Sequence, residues 1–166
     1  MVAGAAFPVM AWPAVDGGKI DINSQAGWRL LIIYRGKHCP LCKQYLDQLE
    51  KIKGELKKSD IYFAAVSADP KEKAQAEVAE CKWDFPIGYN LSISEMRELG
   101  LYISDPRSTD ETDRPFAEPA IFVINPHGQV QIIDISNAPF SRPDLLLLLK
   151  GLQFIINKDY PIRGRA

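Results

Sequence analysis

Two cysteines spaced for one helical turn, Cys39 and Cys42, stand in the segment Arg35-Gly-Lys-His-Cys-Pro-Leu-Cys42. A thiolate is the nucleophilic form of cysteine, and it is favoured where unpaired N–H groups and the macrodipole of a helix N-terminus meet it. Pro40 suits a first helical position, because the N–H it lacks would have no partner there. Cys39 is therefore expected at the mouth of a helix, ionised and open to substrate. Arg35, Lys37 and His38 add positive charge beside it. Cys42, one turn on and on the same face, is placed to attack a mixed disulfide or sulfenic acid formed at Cys39. The pair reads as attacker and resolver, and this chemistry needs no organic cofactor and no metal.

Other uses of two such thiols make different demands on the chain. A closed zinc site needs four ligands, yet only Cys81, His38 and His127 could add to the pair, and there is no second Cys-x-x-Cys. Haem attachment needs histidine after the second cysteine, where Lys43 stands. Copper(I) suits two soft thiolates, and docking of a partner through them is a further binding alternative; His127, in a tight turn, is a poor extra ligand. Cys81, in Val-Ala-Glu-Cys-Lys-Trp, reads first as a packing residue, with a remote resolving role as the alternative. His38 either raises the thiolate fraction of Cys39 or is an exposed polar neighbour.

The elements that must position the pair follow from periodicity. Trp28 to Tyr34 is a near-continuous apolar run, expected as a strand covered on both faces, and Ile61 to Ser67 is a second. Leu41, Tyr45, Leu49, Ile52 and Leu56 recur at helical spacing, predicting a helix from Pro40 to about Lys58. A polar helix from Pro70 to about Cys81 and a short one from Ser92 to Leu99, closed by Gly100, follow. Residues 104 to 118 are expected as a polar loop. Ala120 to Ile124 and Gln129 to Ile135 flank Asn125-Pro-His-Gly128, a hairpin signal. A last helix from about Pro143 to Asn157 should turn Leu145, Leu146, Leu148, Leu149, Leu152, Ile155 and Ile156 to the sheet. Short apolar pieces around Asp16-Gly-Gly18 predict an N-terminal β-hairpin.

The chain has 166 residues, enough to bury a core without staples, and is expected as one domain over 1–166. With 20 basic and 21 acidic residues it has no electrostatic footprint for nucleic acid or a membrane surface. No apolar run approaches the ~20 residues of a membrane-spanning helix. Three cysteines make no disulfide scaffold, and the N-terminus does not read as a secretory leader, so a cytoplasmic location is the default. A mature form that had shed a leader would read the same.

Tyr34-Arg-Gly-Lys-His-Cys-Pro-Leu-Cys42, Glu118-Pro-Ala-Ile-Phe-Val-Ile-Asn-Pro-His-Gly128 and Ser136-Asn-Ala-Pro-Phe-Ser-Arg-Pro-Asp144 together resemble the peroxiredoxin-like branch of the alkyl hydroperoxide reductase and thiol-specific antioxidant (AhpC/TSA, redoxin) family. The resemblance implies an α/β fold, a thioredoxin-like three-layer sandwich with a central mixed sheet, helices on both faces and an N-terminal β-hairpin. It puts Cys39 in the place of the peroxidatic cysteine and implies a cis peptide bond before Pro119, leaving the Glu118 backbone to pair with substrate. It also implies a positive charge from Arg142 near the thiolate. Typical members carry a hydroxyl three residues before the reactive cysteine and a proline further upstream, but Gly36 and Ile32 occupy those places here. One donor that aligns a peroxide is thus missing, so weak peroxidase activity is expected, and retention of Pro119 and of a full Cys-x-x-Cys leans toward thioredoxin-like disulfide exchange. The activity implied is antioxidant oxidoreduction of a peroxide or protein disulfide, with thioredoxin or glutathione as the dithiol donor. A disulfide reductase without peroxidase activity is the alternative, and a scaffold acting through an interface that includes Trp12, Trp28 or Trp83 is another. A homodimer is implied by analogy alone.

Overall fold

The computed structural model describes residues 1–165. Its centre is a five-stranded mixed sheet of β3 (Trp28–Ile33), β4 (Ile61–Val66), β5 (Ile87–Gly88), β8 (Ala120–Ile124) and β9 (Val130–Ile135), in the order β5-β4-β3-β8-β9. β3 pairs parallel to β4 and antiparallel to β8, so the central strand is hydrogen-bonded on both edges. Both its faces are also covered by packed cores, which is why its run is nearly all apolar.

Alternate residues of these strands feed two cores. Leu30, Ile32, Phe63, Ala65, Ile121 and Val123 face Leu46, Leu49 and Leu56 of α1 (Pro40–Lys58) and Leu148, Leu149 and Leu152 of α4 (Leu145–Lys158). Leu31, Ile33, Val66, Phe122 and Ile124 face Met96 and Leu99 of α3 (Ile93–Leu99), and Trp12 and Ile20 of the hairpin β1 (Ala11–Pro13) and β2 (Lys19–Asp21). Helices therefore cover both faces, giving the three layers that the sequence implies.

Helix boundaries follow local chemistry. The side chains of Asp144 and Ser92 cap α4 and α3, and Gly100 ends α3 in the left-handed region. α2 (Lys71–Cys81) starts after Pro70. Two expectations need correction. Leu146 is 56% exposed: the helix turns Leu145, Leu148, Leu149 and Leu152 inward, and position 146 falls outside that stripe. The segment 104–118 is not wholly irregular, because β6 (Ile103–Ser104) pairs with β7 (Phe116–Ala117) and closes its base. No described helix is long and apolar enough to cross a membrane.

Candidate active site

The chain leaves β3 through Tyr34, turns at Gly36 and enters α1 at Pro40, which brings the cysteines to the end of the central strand. Cys39 is the N-cap of α1, and its sulfur accepts from the Cys42 N–H at 3.2 Å. It thus takes the place that a serine or aspartate oxygen holds in an ordinary cap. The Cys42 thiol also donates to it, and Arg35 and Arg142 add favourable charge. Together these outweigh burial and bring Cys39 down to about 6. Cys42 moves the opposite way, upward, because its proton is held between the two sulfurs and the site is dry. Both cysteines are free thiols.

The expected open sulfur is a correction. Cys39 is 3% exposed and Cys42 fully covered, because both belong to the α1–α4 core with Tyr34, Tyr45, Leu46 and Leu145. Clefts flank the first turn on either side. One, of about 430 Å³, is walled by His38, Asp69, Lys73 and Thr112; the other, of about 270 Å³, by Leu41, Tyr45, Phe140 and Arg142. Neither is lined by Cys39 itself.

Gly36 has φ +124°, and a Cβ there would stand 2.6 Å from Oδ2 of Asp69. The family's hydroxyl residue cannot fit at this backbone geometry. Asp69 fills the space instead and accepts the Lys37 N–H at 2.7 Å, tying the turn before Cys39 to the end of β4. Burial raises the Asp69 carboxyl. Glu77 of α2, 1% exposed, accepts the Tyr34 hydroxyl at 3.2 Å, and burial beside Asp69 pushes it up to about 7.

His38 does not supply the expected positive charge. Its ring packs on Phe116 at 4.5 Å, neither ring nitrogen has a hydrogen-bond partner, and burial pushes its pKa down. Arg35 does carry charge to the site, held over Phe116 at 4.7 Å and between Glu111 (3.5 Å) and Glu118 (3.6 Å). Lys37 is engaged with Glu80 at 3.2 Å. Arg142 lies 4.1 Å over the Tyr45 ring and donates to the Leu41 carbonyl at 3.0 Å, on the first turn of α1. The Tyr45 hydroxyl donates to the Pro143 carbonyl at 2.7 Å and fastens the same loop to α1.

Pro119 is a second correction, since no cis peptide bond occurs among the described residues. The backbone on both sides is already paired: Glu118 N–H donates to the Tyr102 carbonyl at 2.8 Å, and the Pro119 carbonyl accepts from Ser136 N–H at 2.9 Å. The Glu118 N–H is therefore not free for a substrate. Its carboxylate accepts from Ser104 Oγ at 2.7 Å and faces Arg35. Cys81 is partly buried against the α1–α4 core, where burial raises its thiol, and His127 is exposed in its turn. Among the described residues no group of three or more His, Cys, Asp and Glu side chains is gathered as a metal site would need.

Asp69 and Glu77 were not singled out from sequence. Asp69 offers a signal in retrospect, an acid placed directly after a buried strand where α/β sites gather. Glu77 offers none, since its neighbours in α2 read as an ordinary polar helix.

Comparison with known proteins bears on this arrangement. The sequence model of the AhpC/TSA family matches residues 3–133. A thiol-disulfide oxidoreductase ResA of Halalkalibacterium halodurans is 25% identical over 117 residues, covering 70% of this chain and 58% of that protein. A probable 1-Cys peroxiredoxin of Syntrichia ruralis is 22% identical over 119 residues, covering 69% and 55%. The matched stretch thus spans little more than half the length of these relatives. Among solved structures, Enterococcus faecalis AhpC superposes with a TM-score of 0.77 at 15% identity, over 98% of this chain and 99% of that one, which establishes the shared fold.

Proposed function

The chain belongs to the AhpC/TSA family, and from that premise we propose that it is a thiol-dependent antioxidant oxidoreductase acting through Cys39 and Cys42. The observation that carries the reading is the Cys39 sulfur serving as the helix N-cap and accepting from the Cys42 N–H at 3.2 Å. In the first step the Cys39 thiolate attacks the distal oxygen of a hydroperoxide. An S–O bond forms, the O–O bond breaks, and the departing alkoxide takes up a proton as alcohol or water. Cys42 then attacks the sulfenic acid, the S–O bond breaks, water leaves and an internal disulfide forms. Two electrons from a thiol donor return both thiols, either one dithiol such as thioredoxin, which leaves as its disulfide, or two molecules of glutathione, which leave as glutathione disulfide.

The recessed sulfur favours a small hydroperoxide over a protein disulfide, since a bulky substrate must first displace the opening turn of α1. Gly36 gives the passage for Asp69, Pro40 starts the helix, Pro119 anchors β8, and Arg142 holds charge beside the pair. His38, neutral and apolar-packed, closes one wall. A cytoplasmic setting belongs to the same proposal, supported by a cysteine set too sparse for a disulfide scaffold.

Turnover of hydrogen peroxide, an organic hydroperoxide and insulin disulfides, measured side by side with each donor, tests the reading. Hydroperoxide turnover that disappears in Cys39→Ser is expected. Oxidation should remove two hydrogens by mass in the parent protein but not in Cys42→Ser. Consumption of neither substrate class, or a Cys39→Ser variant as active as the parent, would overturn it.

A further inference from the structure

Arg29, the second residue of β3, lies at the end of the sheet away from the cysteines and is 3% exposed. Buried arginines are normally paired with an acid, because desolvating an uncompensated charge costs several kcal/mol. Here no carboxylate comes within 4.0 Å among the described residues. Nη1 donates to the Gly27 carbonyl at 2.6 Å and Nε has no partner. Nη2 lies at the Gly128 turn, 4.0 Å from where a Cβ of that glycine would stand.

The guanidinium forms part of the wall of a cleft of about 360 Å³, between the turn Pro126–Gly128 and the segment that carries Asn23 and Gln25. No Asp or Glu lines it. The Asn23 amide nitrogen is committed to the carbonyls of Phe7 (3.4 Å) and Pro8 (3.2 Å), which fixes one wall. Gln25 and His127 stand at the rim as further donors. A concave site with one buried cation, polar side chains and no acid is chemically suited to an anion.

We propose that this cleft binds a small oxyanion, the phosphate or carboxylate group of a soluble ligand, with the Arg29 guanidinium as its counter-charge. The guanidinium is held in place by its bond to Gly27, so an oxygen of such a group pairs with Nη2, the nitrogen left without a protein partner at the Gly128 turn. The site is separate from the cysteines and does not depend on their chemistry.

The test is titration of the full chain with inorganic phosphate, and separately with acetate and citrate, at ionic strength held constant with chloride. The expected result is saturable shifts of the Arg29 Nε–H and of the Gln25, His127 and Gly128 amides. Thermal stability should rise by about 5–10 °C at a hundredfold excess over Kd. Arg29→Met should abolish both effects, and the anion that saturates at the lower concentration identifies the group. If Arg29→Met does not fold, the double variant Gln25→Ala/His127→Ala at the rim should weaken binding at least fivefold. Absence of saturation with every anion overturns the proposal. So does equal binding by Arg29→Met, or by the double variant where Arg29→Met does not fold, leaving Arg29 as a cap on the Gly27 carbonyl.

Discussion

Replacement of Gly36 by alanine reaches the turn that delivers Cys39, and its cost has two separable parts. The backbone at φ +124° lies where residues with a Cβ are strained, a cost of about 1–3 kcal/mol. The added carbon would also stand 2.6 Å from Oδ2 and 2.8 Å from Cγ of Asp69, so the carboxylate has to leave. Its hydrogen bond to Lys37 N–H, 2.7 Å long and accepted by a side chain only 2% exposed, goes with it. Such a bond contributes about 1.5–3 kcal/mol. The expected loss is therefore about 2.5–6 kcal/mol, a large share of the ~5–15 kcal/mol of an ordinary domain.

Urea unfolding of the reduced protein measures this loss. Asp69→Ala alone forfeits the hydrogen bond, and once it is gone alanine at 36 should cost only the backbone part, so the two changes couple by more than about 1 kcal/mol. Gly36→Thr, which restores the family's hydroxyl, should lower peroxide turnover instead of raising it. A loss below about 1 kcal/mol for Gly36→Ala, or additivity within about 0.5 kcal/mol, refutes the account of this turn.

Absorbance at 240 nm should titrate the Cys39 thiolate with a midpoint of about 6, and Cys42→Ala, which removes the donating thiol, should raise that midpoint by at least one unit. Arg142→Met should raise it too, by a smaller step, because Arg35 still adds charge; an unmoved midpoint would show that the loop does not act on the sulfur. Glu77 is raised from an ordinary 4.5 to about 7, so the folded state favours its protonated form. The stability this group contributes is complete below about 4.5 and lost as pH rises through 7. Glu77→Gln keeps an acceptor for the Tyr34 hydroxyl and should therefore be nearly neutral at pH 4.5, but stabilising by about 2–4 kcal/mol at pH 8.5 in denaturant titrations. Equal effects at both pH values would show that burial does not hold the proton.

The elements of this fold were legible in the residues themselves. Apolar runs, the period-3.6 stripe after Pro40 and Gly100 at a helix end are all local signals, and β3, β4, β8, β9 and the four helices lie within about two residues of their expected places, whereas the short strands β5, β6 and β7 carry no such signal. The Cys39–Cys42 pair was equally plain, because its spacing and its strand-to-helix position are properties of one short segment. What tertiary structure alone decided concerns groups far apart in sequence. Asp69 comes to lie against Gly36 across the β3–β4 pair, and Glu77 reaches Tyr34 from α2. His38 is neutral because it packs on Phe116, and Cys39 is covered because α1 and α4 close over the sheet. Charge state and access depend on desolvation, which is a property of all the atoms surrounding a group. No stretch of sequence carries that sum, so it becomes visible only when the layers are assembled.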